Sequence, residues 1–131
     1  MPTAESLVLQ LQSVCQDLLW SSETDYPLTS VCWDAPLSPP QLLAHIGRPA
    51  DTPVETESLE QFFASAIAAR DWHDAAEAER VNRYRQLVSL LQANLAEPRV
   101  YRVGTVEIEV YILGRTEDGK TVGLSTQVVE T

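Results

Sequence analysis

Few side chains in this sequence have types and spacings that could do chemistry. His45 and His73 are its two histidines, and Cys15 and Cys32 its two cysteines. His73 precedes Glu77 by four residues, a spacing that puts both on one helix face, where they could hold a metal weakly. The same spacing also arises without any metal. His45, in QLLAHIG, reads as a helix C-terminal residue favourable to the macrodipole. Cys15 and Cys32 stand on apolar-patterned elements, which reads as two buried thiols in a reducing compartment rather than nucleophiles or a disulfide. Glu107 and Glu109 are two residues apart and share a strand face. They form either a carboxylate pair for acid–base work or a solvated surface. Glu79, Arg80 and Arg83 read as charges on the polar face of a helix. There is no GxSxG, phosphate-cradling glycine loop or HExxH stretch. No enzymatic activity, cofactor or metal site of the chain's own is therefore expected.

Charge points outward to a partner. Nineteen acidic against nine basic residues give a formal charge of −10. Phosphate binding relies on basic patches, so direct nucleic-acid binding is not expected. An acidic surface suits docking on a protein that itself binds nucleic acid. The opening MPTAESLVLQLQSVCQ lacks a basic n-region and a continuous apolar core, so no secretory leader is expected. No apolar run approaches the roughly 20 residues of a membrane span. A cytoplasmic protein is the expectation; its oligomeric state is open.

The elements that must position these groups follow from periodicity. Leu7, Leu11, Cys15 or Val14, and Leu18 recur at helical spacing from Thr3 to about Leu19, and Trp20 closes the run. Leu28 to Asp34 is rich in strand formers. Residues 35–57 are punctuated by prolines, with a short helix QLLAHI ending at Gly47 and an extended piece in VETES. Ser58 and Gln61 have capping-box spacing and open a helix that turns Leu59, Phe62, Phe63, Ala66 and Ile67 inward. Residues 70–74 break the pattern and read as a surface loop or turn. A long helix runs from about Asp74 to Leu95, with Val81, Tyr84, Val88, Leu91 and Leu95 on one face and Pro98 as its stop. Arg99–Val103, Val106–Gly114 and Thr121–Glu130 then read as three strands joined by short turns, one of them Asp118-Gly119. The whole chain, 1–131, reads as a single α+β domain with a mainly antiparallel sheet flanked by helices.

Two stretches stand apart from this scaffold. SSETDYP, residues 21–27, sets Glu23 and Asp25 among small hydroxyl residues that favour turns, and Pro27 keeps Tyr26 extended. Taken alone it is a solvated turn. Trp72 lies between Asp71 and Asp74, beside His73, in the 70–74 stretch and is either an interface anchor or partly core.

Set together, these stretches resemble a known family. LLWSSETDYPLTSVCWD is similar to the segment of the cyanobacterial nuclease A inhibitor family in which an S-E-x-E/D-Y-P turn leads into a strand. LEQFFASAIAARDW resembles that family's D-S-F-F helix followed by D-W-Y. RVYRVGTVEIEVYILGRTEDG and VGLSTQVVET resemble its V-Y-R-L-G-x-V-E-L-D-V-Y hairpin and its S-T-K-V-V-E-T terminus. The likeness covers nearly the whole chain and is weakest through residues 35–57. Asp25 stands where a glutamate is usual, and His73 where a tyrosine would follow the tryptophan.

The resemblance implies an α-β-α sandwich and an inhibitor of a sugar-non-specific ββα-metal endonuclease that cuts DNA and RNA. It implies that Glu23 and the Thr131 carboxylate approach the catalytic magnesium of that nuclease, and that Trp72 is an interface residue. Thr24 and Asp25 would flank Glu23 at the contact. A second class of function stays open: an interaction or adaptor domain of the same fold with a different protein partner.

Overall fold

The computed structural model describes residues 4–16, 18–21, 25–33, 39–49, 51–64, 74–117 and 119–129. Helix α1, Ala4–Cys15, buries Ala4, Leu7, Leu11 and Cys15 at the predicted helical spacing. It ends earlier than the periodicity predicts. Leu19–Ser21 is strand β1, which pairs antiparallel with β2, Asp25–Pro27, so that Trp20 lies opposite Tyr26 in the ladder. The stretch read as a turn is thus a small hairpin whose connection is residues 22–24.

Strand β3, Thr29–Trp33, is followed by α2, Pro39–His45, and β4, Val54–Glu57. Helix α3, Leu59–Phe63, begins on the predicted capping box: Gln61 N–H donates to the Ser58 hydroxyl at 3.1 Å, and Ser58 N–H donates to the Gln61 side chain at 3.4 Å. Ala66, Ile67 and residues 70–73 lie outside the described residues. Helix α4, Ala75–Asn94, is capped by Asp74, whose carboxylate accepts from Glu77 N–H at 2.8 Å. All five residues assigned to its apolar face, Val81, Tyr84, Val88, Leu91 and Leu95, are buried.

Pro98 does not stop this helix. Leu95 is already extended, and strand β5 runs Ala96–Val103 through Pro98. The proline is accommodated where the ladder slips between Ala96 and Arg99, and Glu97 there takes a positive φ of 50°. Strands β6, Glu107–Arg115, and β7, Thr121–Val129, complete a five-stranded antiparallel sheet in the order β3-β7-β6-β5-β4. The expected α+β class holds.

Helices cover both faces of this sheet. On one face α1, α3 and α4 bury Val100, Ile108, Val110, Ile112 and Leu124, with Phe63 lying edge-on to Phe62 (5.1 Å between centroids) and 6.1 Å from Tyr84. Each such side chain contributes about 1.5–3 kcal/mol by leaving water. On the other face α2 sets Leu42 and Leu43 on Val103 and Leu113, flanked by Trp33, Tyr101 and Tyr111. Two-sided covering is why β6 carries Leu113 inward on the face opposite Ile108, Val110 and Ile112. The layering is α-β-α.

Cys15 is buried as expected, but Cys32 is exposed. It shares the ladder face of Val122, its cross-strand partner, yet β3 is an edge strand, so the packed helices do not enclose it. Both residues are thiols.

Candidate functional site

The sheet register fixes which element ends lie together. Val54 pairs with Val103, Val103 with Glu109, and Glu107 with Val129. The start of β4, the end of β5, the start of β6 and the end of β7 therefore share one end of the sheet. Thr29 stands opposite Ser125, so the chain traced back from Thr29 into β2 runs alongside β7 toward Val129. Tyr26 and Pro27 accordingly line a small cleft with Glu109, Tyr111, Ser125 and Gln127. The closed end of the hairpin, where Ser21 pairs with Asp25, points to that same end.

Helix α4 leads directly into β5. Its C-terminus is at the opposite end, where Ala96 pairs with Arg115 and Arg115 with Thr121. Its 20 residues extend about 30 Å, back across the sheet toward the hairpin. Near its middle, Arg83 Nη2 donates to the Val14 carbonyl at 2.9 Å and also to the Gln16 carbonyl. These are carbonyls at the end of α1, which have no partner within the helix. Arg83, read from spacing as a plain polar-face charge, ties α4 to the root of the hairpin.

Of the residues singled out by sequence, Glu23, Thr24, Trp72, His73 and Thr131 lie outside the described residues. Asp25 belongs to β2, opposite Ser21. The described elements flanking the others are the β1–β2 hairpin, the Asp74 cap of α4 and the last residue of β7. The hairpin and the last residue of β7 lie at the same end of the sheet.

The carboxylates Glu107 and Glu109 stand in different surroundings. Glu109 Oε2 accepts from Arg48 Nε at 2.9 Å, while Glu107 is exposed. Arg48 is held for this by the end of α2. Gly47, at φ 75°, takes the left-handed turn, and the Gly47 and Arg48 N–H groups donate to the Ala44 and Leu43 carbonyls at 3.3 and 2.9 Å. The ion pair is about one-third exposed on both sides, so it contributes little to stability. Tyr111 lies beside it. Burial, then the neighbouring Glu109 charge, raises its phenol above the ordinary value, while Arg48 opposes the shift. Trp33 sits 6.2 Å from both His45 and Tyr111, ring centre to ring centre. Periodicity could not reveal this cluster, because it joins residues from the proline-rich segment to two strands far away in the chain.

Among the described residues, no three His, Cys, Asp or Glu side chains gather into a metal-binding group. Among the same residues, no helix is long and apolar enough to cross a membrane. Comparison with known families gives one match: the family model described as nuclease A inhibitor-like protein fits residues 5–131. No curated protein matches the chain.

Proposed function

The chain belongs to the nuclease A inhibitor-like family, and from that premise we propose that it binds and blocks the active site of a metal-dependent, sugar-non-specific ββα endonuclease. The observation that carries this reading is the shared end of the sheet. The hairpin and the end of β7 come together there, with α4 tied to the hairpin root by Arg83, so groups borne beyond them can act on one partner surface.

In this reading Glu23 is the active-site anion. The nuclease holds substrate phosphate oxygens on its magnesium and cationic side chains. A carboxylate is a hard anionic oxygen ligand and can take the place of a phosphate oxygen, directly or through water. The terminal carboxylate of Thr131 supplies a second anion, Trp72 an apolar anchor, and Thr24 and Asp25 the rim around Glu23. A short connection on a paired hairpin, whose root is tied to α4 by Arg83, limits the entropy lost on binding. The formal charge of −10 speeds association with a basic groove, and salt slows it. The chain itself supplies no catalytic residue. The inhibitor acts in the cytoplasm, where Cys15 and Cys32 remain thiols.

Titration of a ββα endonuclease in Mg2+, reading residual DNA cleavage, tests the function. Cleavage is expected to fall linearly to near zero at one equivalent. Undiminished cleavage at several equivalents, with a non-nuclease protein captured instead, would replace the inhibitor with an adaptor of the same fold.

A further inference from the structure

Val106 and Leu9 are the large apolar side chains most exposed among the described residues, at 52% and 66%. A single exposed apolar residue is ordinary. Val106 differs in its position. It precedes Glu107, which stands opposite Val129, the last described residue of β7. The β5–β6 turn therefore lies directly beside the strand end that leads to the C-terminus.

The turn is also stiff. Gly104 has φ 109°, its N–H donates to the Pro53 carbonyl at 3.0 Å, and a Cβ there would lie 2.8 Å from the Glu107 carbonyl oxygen. Behind it, the Thr52 N–H and hydroxyl both donate to the Pro49 carbonyl, at 3.1 and 2.8 Å. Turn and loop enclose an open groove of about 550 Å³ lined by Arg48, Asp51, Thr52, Gly104, Val106 and Glu107. Arg48 is engaged by Glu109, and Asp51 and Glu107 are exposed, so the groove presents an apolar knob within a net-negative rim.

We propose that this turn is a second contact with the nuclease: Val106 packs against the wall of the partner's nucleic-acid groove while Asp51 and Glu107 face its basic rim. The proposal rests on the inhibitor reading above and extends its interface from the hairpin across the end of β7 to the β5–β6 turn. Charge selects the occupant, since a surface evolved to hold phosphates is cationic. A rigid turn adds contact with little ordering cost.

The test measures affinity for a ββα endonuclease in Mg2+ by calorimetry, for the unaltered chain, Val106→Arg, Leu9→Arg and Glu23→Ala. Both arginine substitutions are at exposed positions, and thermal denaturation of each variant should match the parent. Val106→Arg is expected to weaken binding about ten-fold or more, by adding a cation against a basic rim. Leu9→Arg, on the outer face of α1, should stay within about two-fold. Parental affinity in Val106→Arg, with affinity lost in Glu23→Ala, would remove the turn from the interface and leave the inhibitor reading intact. An unaltered chain that does not bind the nuclease would overturn both.

Discussion

Glu107 stands directly opposite Val129 in the β6–β7 ladder. This one pairing brings the β5–β6 turn, the end of the last strand and, through the course of β2 along β7, the hairpin to a common end of the molecule. A binding surface assembled from distant parts of the chain then needs no large rearrangement to present them together.

Arg83 holds the hairpin root. Replacing it with leucine removes hydrogen bonds to the Val14 and Gln16 carbonyls and leaves the end of α1 unsatisfied. We expect a loss of about 1–2 kcal/mol, seen as a lower urea midpoint at unchanged slope. Affinity for the nuclease should fall as well, because the hairpin is no longer held for binding. An unchanged midpoint would show that this tie carries no stability.

The two thiols should behave differently. Near about pH 8 an alkylating reagent is expected to modify exposed Cys32 and to spare Cys15 until the protein unfolds. Burial pushes the Cys15 thiol from an ordinary value of 9.0 up to about 11, with Arg83 partly opposing the shift. Between those values the folded chain keeps a proton that the unfolded chain releases. Stability should therefore decline as pH rises through that window, by roughly 1.4 kcal/mol per unit. Denaturation of Cys15→Ala across the same range should lack this component. A Cys15→Ala variant with the same pH dependence as its parent would contradict the assignment.

Thr126, opposite Val110 on β7, is buried, and its hydroxyl has no hydrogen-bond partner among the described residues. Thr126→Val replaces that hydroxyl with a methyl of similar shape. It is expected to raise stability by about 0.5–1.5 kcal/mol, read as a higher melting temperature. A lower melting temperature would mean that the hydroxyl is satisfied in solution.

Legibility followed the range of the interactions. The meander could be read from residues 99–129 because Val and Ile alternate with Glu and Tyr over long strands, and the Ser58–Gln61 box and the apolar face of α4 are equally local signals. The β1–β2 hairpin was hidden because three-residue strands carry too little alternation, and Leu18 and Leu19 extend the helical pattern of α1. The Arg48–Glu109 pair joins residues 61 positions apart, and Arg83 reaches back to α1 over a similar distance, so neither leaves a local trace. The exposure of Cys32 depends on its strand lying at the sheet edge, a property of topology rather than of residue pattern. Glu23, Thr24, Asp25, Trp72 and Thr131 were singled out as a contact set through family resemblance. Spacing alone left SSETDYP a solvated turn.

In the proposed complex the carboxylate of Glu23 acts on the nuclease's metal site. The most direct measurement compares the affinity of the unaltered chain and of Glu23→Gln for a ββα endonuclease, with Mg2+ and without it. The amide keeps size and polarity but removes the charge. The unaltered chain should bind the magnesium-loaded enzyme more tightly than the metal-free one. Glu23→Gln should lose that preference together with about 2–5 kcal/mol of binding in Mg2+. Equal affinities of the two chains for the magnesium-loaded nuclease would remove Glu23 from the metal site.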